Sequence, residues 1–218
     1  MESAVFITRP QHGRTIKILS WNINGAKTKL EKKHVVELLQ RYDIISLNEV
    51  MTPLPVVFPG YVSYKSSVRG SDERGGTVLL IKNYLSKSIV SVDVGIQDQI
   101  WIQLRHAPKY LFGFCYVPPA DSRYYSHDSF ASVQEKLKTS EKCKEYCILG
   151  DMNARFGQYV RSLVQGELPD IDNYSYPVLP DDVQLPNENA FILSSVCKES
   201  GLLVLNNLQT PTNHFVSQ

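Results

Sequence analysis

Four polar residues stand directly after short apolar stretches, and their chemistry suits a site for a metal ion and a phosphate. Asn22 and Glu49 follow the first two stretches, and Tyr116 and Asp151 follow two later ones. Strand ends of a rigid sheet converge on one edge, where ligand-binding groups collect. Carboxylate and amide oxygens are ligands that Mg²⁺ prefers. The pattern therefore predicts a Mg²⁺ site able to act on a phosphoryl group.

Each of these residues has a more ordinary interpretation when it is taken alone. An acid at a strand end commonly caps a helix or is solvated, and the run from Asn22 through Asn24 to Gly25 is typical of a turn. Tyr116 could be a core residue with its hydroxyl at the rim. The occurrence of such groups at four strand ends favours a shared site.

A second carboxamide, Asn153, follows Asp151 by two residues. If the chain stays extended there, both side chains point to the same side of the strand. Asn153 is therefore a further candidate for the site.

The elements that must position these residues follow from hydrophobic periodicity. Residues 16–21 alternate as a strand, residues 30–42 have helical spacing, and residues 44–47 form a short apolar run. A strand, helix and strand in this order predict a parallel pair with a right-handed crossover.

Further strands and helices are predicted along the rest of the chain. The predicted strands are 61–65, 77–82, 88–94, 99–105, 110–116, 146–149 and 202–205. The predicted helices are 129–137 and 189–199, the second ending at Gly201, and residues 165–186 are predicted to be irregular surface. This mixed order predicts an α/β domain with packed sheets covered by helices.

Composition bounds the class of protein. The chain has 218 residues, 43% of them hydrophobic and 21% charged, which indicates one globular domain. Lys and Arg number 23 against 22 Asp and Glu, so bulk positive charge does not predict nucleic-acid binding. A local patch would be needed, and its candidates are equally typical of a solvated surface: Lys27, Lys29, Lys32, Lys33, Arg69 and Arg74.

Cysteines and apolar runs bear on location. The four cysteines, Cys115, Cys143, Cys147 and Cys197, are too few and scattered for a disulfide scaffold and are expected to be free thiols. No apolar run is long enough to span a membrane, and the first residues lack the apolar core of a signal peptide. We therefore expect an intracellular protein without a membrane partner, a description compatible with the nucleus.

Five motifs occur in the order found in one known family. They are SWNING at 20–25, DIISLNEV at 43–50, RGGTVLLIK at 74–82, GFCYVPP at 113–119 and ILGDMNARFG at 148–157. On these residues the chain resembles the endonuclease/exonuclease/phosphatase family, which is DNase I-like and includes abasic-site endonucleases. Residues 187–207 resemble endonuclease domains of LINE-type, non-LTR retrotransposons, and the resemblance covers about residues 15–213.

The resemblance implies a fold and a role for each candidate residue. The fold would be a four-layer α/β sandwich of two mixed sheets flanked by helices. Glu49 would be the main ligand of Mg²⁺, which Mn²⁺ could replace, with Asn22 orienting the site and Asn24 at an acidic position near the metal. Tyr116 would contact the scissile phosphate. Asp151 would orient or activate the attacking water, and Asn153 would bind a phosphoryl oxygen.

The implied reaction is metal-assisted hydrolysis of a phosphodiester that nicks DNA and leaves a 3′-hydroxyl. In a retrotransposon that end primes reverse transcription, so the implied partners are DNA and a reverse transcriptase domain of the full-length relative. Two alternatives stay open. One is a phosphodiesterase acting on an inositol phosphate, a lipid headgroup or RNA, and the other is a non-catalytic remnant that binds nucleic acid.

The sequence departs from the family pattern at two places. Asn48 and Val50 flank Glu49 where relatives usually carry Gln and Thr. The late Asp and the Ser-Asp-His motif that close the family pattern do not occur, and His214 stands in a different context. The resemblance therefore implies a flexible tail over residues 1–14 and a truncated domain over 15–218 that lacks its last strands and has impaired activity.

Overall fold

The structure is a computed structural model that describes residues 2–8, 15–52, 56–67, 76–105, 107–140, 143, 145–156, 185–202 and 204. These residues fall into two compact units. The first contains the chain up to Val117 together with Thr139–Asp151, and the second contains Pro118–Lys138 and the described residues from Met152 to residue 204.

Both β-sheets lie in the first unit. The first sheet has five strands: β1 (Glu2–Thr8), β2 (Thr15–Asn22), β3 (Ile44–Asn48), β4 (Tyr61–Lys65) and β5 (Val78–Lys82). Their order is β1-β2-β3-β5-β4, and only β2 and β3 pair in parallel. This parallel pair brings the carboxyl ends of β2 and β3 side by side.

The second sheet has four strands in sequence order. They are β6 (Ile89–Asp93), β7 (Gln99–Leu104), β8 (Ala107–Tyr116) and β9 (Glu145–Asp151). β6, β7 and β8 form an antiparallel meander, and β8 and β9 are parallel. The carboxyl ends of β8 and β9 are therefore also neighbours.

Five helices occur in the described residues. Three short ones belong to the first unit: α1 (Ala26–Leu30), α2 (Lys33–Leu39) and α3 (Asn83–Ser86). Two longer ones, α4 (Asp128–Thr139) and α5 (Glu188–Ser200), lie in the second unit except for the last residue of α4. Among the described residues, no helix has the length and hydrophobicity needed to cross a bilayer.

Two apolar clusters hold the first unit together. One combines side chains of the first sheet, such as Ile18 and Leu79, with side chains of the second, such as Ile102 and Phe114, so it lies between the sheets. The other packs the opposite face of the first sheet against α1 and α2, with Leu39 among its members. Because β3 contributes to both clusters, all five of its residues are buried.

Both ends of α5, in the second unit, have capping residues typical of a helix. Asn187 is the N-cap of α5, and its side chain accepts a hydrogen bond from the Ala190 N–H. Gly201 ends the helix with φ of 63°, a left-handed conformation that favours glycine. Phe156 and Ala190 form the centre of a small apolar cluster in this unit.

Most predicted elements are confirmed within a few residues, including the parallel pair of β2 and β3. The predicted helix over 30–42 is instead two short helices, α1 and α2. The five predicted strands between residues 61 and 116 are divided between the sheets, with β4 and β5 in the first and β6, β7 and β8 in the second. In the first sheet β5 pairs with β3, and both faces of β3 are covered by apolar side chains.

Two predictions about the ends of the chain need correction or fall outside the described residues. The tail predicted over residues 1–14 is wrong for Glu2–Thr8, which pair antiparallel with β2 because the free edge of that strand offers main-chain partners. Of the predicted strand 202–205 the structure describes only Leu202 and Val204, and neither is in a strand. Within the loop predicted over 165–186, residues 165–184 lie outside the described part.

All four cysteines are free thiols, as predicted. Burial raises the pKa of Cys147 and of Cys197 to about 11, and it raises the pKa of Cys115 further still. Thiols with raised pKa values are weak nucleophiles at neutral pH. Cys115, Cys147 and Cys197 therefore belong to the packing of the fold.

A buried ion pair fixes the start of β3. The Asp43 carboxylate accepts hydrogen bonds from the Lys17 N–H at 2.9 Å and from the Lys82 ammonium at 3.0 Å. Burial raises the pKa of Asp43, but the hydrogen bonds from Lys17, Lys82 and Tyr84 together with the positive charge of Lys82 outweigh it, and the pKa lies below the ordinary 3.8. Folding therefore favours the charged form of Asp43.

We expect Asp43→Asn to lower the free energy of unfolding at neutral pH by about 1–2 kcal/mol, since it removes charge-assisted hydrogen bonds. Because the folded-state pKa is lowered, the stabilisation is complete above the pKa of the unfolded chain and is lost as the pH falls through the folded value. Urea unfolding between pH 7 and pH 3 checks this, with exposed Asp121→Asn as the control. A wild-type advantage that stays constant down to pH 3 would contradict it.

Candidate active site

The carboxyl ends of β2, β3, β8 and β9 carry four of the predicted site residues, all in the first unit. Asn22 is the last residue of β2 and lies opposite Asn48, which directly precedes Glu49. Tyr116 and Asp151 are the last residues of β8 and β9 and lie opposite each other. The parallel pair in each sheet thus puts two candidates at each sheet end.

Hydrogen bonds join these four side chains into one cluster. The Asn22 amide donates to Glu49 Oε1 at 2.8 Å and to Asp151 Oδ2 at 2.9 Å. The Tyr116 hydroxyl donates to Glu49 Oε1 at 2.7 Å. The two carboxylates therefore lie within the sum of the two Asn22 distances of each other, and the predicted meeting of Glu49 with Asp151 is confirmed.

The orientation of the Asn22 amide follows from its contacts. Its Oδ1 accepts the Asn24 N–H at 3.1 Å, an Asx turn that leaves Nδ2 to face the carboxylates. An amide nitrogen carries two hydrogens, and both are used, one for each carboxylate. In this arrangement the Asn22 amide bridges the carboxylates of Glu49 and Asp151.

Asn24 contributes its backbone to this cluster. Its side chain is exposed, and it has φ of 43° in the left-handed region. The contact that it makes with the site is its N–H to Asn22. The sequence prediction of a side chain near a metal at this position stays a prediction.

Glu49 is held in a rare backbone conformation. Its φ is 53°, which few residues other than glycine adopt, and such conformations concentrate at functional sites. Backbone hydrogen bonds maintain it: the Gly25 N–H donates to Glu49 O at 2.8 Å, and the flanking Ile23 and Ala26 N–H groups donate to Asn48 O and Val50 O, both at 2.9 Å. The loop after β2 thus extends the ladder with β3 past the strand end and fixes the Glu49 side chain.

Gly150 brings β9 close to β8 immediately before Asp151. Its φ is 152°, and a Cβ at this position would lie 1.7 Å from the carbonyl oxygen of Cys115. Only glycine fits there. The close approach, together with the Val117 N–H donating to Asp151 O at 2.9 Å, fixes the end of β9.

Asn153 lies in the second unit, and the chain is not extended there. Its φ is 45°, so the expectation that an extended chain would point Asp151 and Asn153 to the same side is wrong in its premise. The loop is held by α5, because Asn187 Nδ2 donates to Asn153 O at 2.7 Å. The predicted role of Asn153 in binding phosphate stays a prediction.

Sequence reasoning missed the two amides that hold this loop. Asn187 also accepts the Arg155 N–H at 3.0 Å, and buried Asn189 donates to Met152 O at 3.0 Å and to Pro118 O at 2.9 Å. The signal was present as two asparagines at the start of a predicted helix. The second of them, Asn189, falls on the buried side of α5 and not at its cap.

The oxygen donors of the first unit fit a divalent cation. Both hydrogen bonds to the Glu49 carboxylate come from neutral groups and go to Oε1, and among the described residues none donates to Oε2. No group of three or more His, Cys, Asp or Glu side chains with metal-site spacing occurs in the described part of the chain. Mg²⁺ is commonly bound by one or two carboxylates with waters and substrate phosphate, so Glu49 and Asp151 fit it.

The basic residues considered for DNA binding are described in part. Lys27, Lys32 and Lys33 are exposed, and Lys33 lies 3.7 Å from Glu37 one helical turn away. The Lys29 ammonium instead donates a hydrogen bond to the carbonyl oxygen of Ile23, in the loop after β2. Arg69, Arg74 and His214 lie outside the described residues.

Comparison with known proteins identifies the class. The model of the Endonuclease/Exonuclease/phosphatase family matches residues 19–192, which is most of the chain. The chain therefore belongs to this family, whose members include nucleases and phosphatases, and the predicted family is confirmed.

Individual relatives are more distant. The Probable RNA-directed DNA polymerase from transposon X-element of Drosophila melanogaster is 28% identical over 147 residues, which are 64% of this chain and 15% of that protein. The chain thus spans a small part of that relative.

Two solved structures are similar to the chain. The AP endonuclease LMAP from Leishmania major superposes with a TM-score of 0.57 at 14% identity, covering 85% of this chain and 66% of that one. The endonuclease domain of TRAS1, a telomere-specific non-LTR retrotransposon, has a TM-score of 0.49 at 15% identity, covering 85% of this chain and 72% of that one. With two mixed sheets and flanking helices, the predicted DNase I-like α/β fold is confirmed.

Proposed function

We propose that this chain is a Mg²⁺-dependent endonuclease that nicks DNA and leaves a 3′-hydroxyl. The observation that carries the proposal is the Asn22 amide, which donates to Glu49 and to Asp151 and so holds two carboxylates from different sheets together. Two carboxylates held this close favour a cation between or beside them. Family membership makes phosphodiester chemistry the first candidate for such a site.

Glu49 would hold the cation through its Oε2, with Asp151 as a second oxygen donor. When bound, Mg²⁺ would polarise a phosphoryl oxygen and offset the negative charge of the phosphodiester. Because Asn22 donates both amide hydrogens to the carboxylates, it would keep the carboxylates in place without contacting the substrate.

The remaining side chains would act on the substrate directly. The Tyr116 hydroxyl, which donates to Glu49, would contact the scissile phosphate. Asp151, whose carboxylate the Asn22 amide holds beside Glu49, would orient the attacking water and accept its proton. Asn153 would bind a phosphoryl oxygen through its carboxamide.

The transposon relative supports a context for the reaction. The X-element protein is named as an RNA-directed DNA polymerase, and this chain matches a segment equal to 15% of it. We infer that the nick made by this chain supplies the primer for reverse transcription by a polymerase domain of the same longer protein.

A plasmid assay tests the proposed function. Purified residues 1–218 are incubated with supercoiled plasmid in Mg²⁺, in Mn²⁺ and in EDTA, and nicked product is extended with a DNA polymerase and labelled nucleotide. We expect open-circle product with either cation, no product in EDTA, and label incorporation without phosphatase treatment, which indicates a 3′-hydroxyl.

A substrate panel separates the alternatives. Hydrolysis of an inositol phosphate, a lipid headgroup or RNA without nicking of DNA would replace the proposed substrate. Binding to DNA without turnover under any cation, unchanged in Glu49→Ala, would indicate a non-catalytic binding module.

A further inference from the structure

A buried polar network lies behind the candidate site, within the first unit. Its members are almost fully buried: Asn48 and Thr77 are 0% exposed and Asp98 is 1% exposed. Burying a polar side chain costs free energy unless it is hydrogen-bonded. A buried polar cluster next to a candidate site therefore suggests that the cluster has a function there.

The hydrogen bonds of this network connect the two sheets. Asn48 Nδ2 donates to Thr77 Oγ1 at 3.0 Å, and the Thr77 hydroxyl donates to the carbonyl oxygen of Asp98 at 3.0 Å. The same carbonyl accepts the Tyr116 N–H at 2.9 Å. Asn48 ends β3 and Thr77 directly precedes β5, both strands of the first sheet, whereas Asp98 directly precedes β7 and Tyr116 ends β8 in the second sheet.

The network closes into a ring through the candidate site. Asn48 is bonded covalently to Glu49, and the Tyr116 hydroxyl donates to the Glu49 carboxylate. The ring therefore runs from Glu49 through Asn48, Thr77 and Asp98 to Tyr116 and back to Glu49. The four hydrogen bonds of the ring measure 2.7–3.0 Å, and the covalent structure of its residues supplies the remaining connections.

Asp98, which lies between Thr77 and Tyr116 in this ring, is held in one conformation by its hydrogen bonds. It has φ of 56°, a left-handed conformation that is rare for a non-glycine residue. Its carboxylate accepts the Gly76 N–H at 3.1 Å, directly before Thr77. Thr77 is anchored in turn, because its N–H donates to Ser66 Oγ at 3.1 Å.

We propose that Thr77, with Asn48 and Asp98, is a positioning residue that sets the Tyr116 hydroxyl against the Glu49 carboxylate. Apolar packing between the sheets tolerates small shifts in spacing, whereas a ring of hydrogen bonds specifies the distance across them. The effect on nicking rests on the proposed function, but the effect on the position of Tyr116 does not.

Thr77 offers a matched pair of substitutions. Thr77→Val has the same shape and lacks the hydroxyl, so it breaks the ring at two links, whereas Thr77→Ser keeps the hydroxyl and loses only a methyl group. The protein is labelled with tyrosine carrying ¹³C at Cζ, and the Tyr116 resonance is assigned by its loss in Tyr116→Phe. Tyr61, whose hydroxyl donates to the Tyr42 carbonyl at 2.6 Å, is the internal control.

We expect Thr77→Val to shift the Tyr116 resonance and to leave that of Tyr61 in place, and we expect Thr77→Ser to shift neither. An unchanged Tyr116 resonance in folded Thr77→Val would overturn the proposal, whether or not the protein nicks DNA. If Thr77→Val does not fold, Thr77→Ala is measured in the same way, with the same result required.

Kinetics then separate positioning from a general structural effect. We expect Thr77→Val to lower kcat for nicking about tenfold with little change in KM, and to have no further effect in the Tyr116→Phe background. An equal loss in both backgrounds would contradict action through Tyr116. If the wild type nicks nothing but the resonance moves, the proposed function fails and the positioning role stands.

Discussion

Glu49→Gln is expected to lower the nicking rate about a thousandfold at saturating Mg²⁺. The substitution keeps the shape of the side chain and its hydrogen bonds to Asn22 and Tyr116 can re-form, but the negative charge at the candidate metal ligand is lost. Stabilisation by a bound cation is worth several kcal/mol in the transition state, and about 4 kcal/mol corresponds to roughly a thousandfold in rate. Initial rates of plasmid relaxation at several Mg²⁺ concentrations measure the effect.

The matched control for this change is Glu37→Gln on α2. Glu37 is solvent-exposed, and its ion pair with Lys33 spans 3.7 Å at the surface, where such pairs contribute little. We expect wild-type rates and stability from it. Equal losses in Glu49→Gln and Glu37→Gln would mean that total charge, and not the site, governs activity.

Asp151→Asn is expected to lower kcat roughly a hundredfold to a thousandfold while DNA affinity changes little. Positioned general bases contribute about this much, and an amide cannot accept the proton of the attacking water. The oxygen of the new amide can still accept the hydrogen bond from the Asn22 amide, as in Glu49→Gln, so the arrangement of the site is kept. Single-turnover nicking together with filter binding of DNA separates the rate from the affinity.

Asp121→Asn is the control for loss of one acidic charge, since Asp121 is exposed on the loop before α4. A fall in DNA affinity that accounts for the whole loss of activity in Asp151→Asn would contradict a role for Asp151 in the chemical step.

The strands and the grouping of the four candidate residues could be predicted from the sequence because both depend on local patterns. Apolar runs such as residues 44–47 and 146–149 mark buried strands, and a polar residue directly after such a run lies at a sheet end. The parallel pairing of β2 with β3 followed from the helix-spaced segment between them.

Other features depend on partners far along the chain and could not be predicted. Nothing local in the sequence distinguishes Thr77 and Asp98, which directly precede β5 and β7, and only the packing of the two sheets makes them part of one ring. The left-handed conformation of Glu49 arises from the loop after β2, which hydrogen-bonds to its carbonyl from 24 positions earlier in the chain. No local pattern encodes such a pairing.

The pairing of residues 2–8 with β2 could not be predicted from the sequence either. The family resemblance begins at about residue 15 and so implies a tail before it, but residues 2–8 pair with the edge of β2 over seven residues. Strand pairing of this kind needs only a free edge and a segment able to extend, and neither is visible as periodicity in the segment itself.

Anomalous diffraction from crystals grown with Mn²⁺ tests most directly whether Glu49 and Asp151 form a cation site. We predict an anomalous peak about 2–2.6 Å from a Glu49 carboxylate oxygen, with Asn22 still bridging to Asp151, and loss of that peak in Glu49→Gln. Full occupancy of Mn²⁺ elsewhere, with Glu49 bonded only to Asn22 and Tyr116, would contradict it.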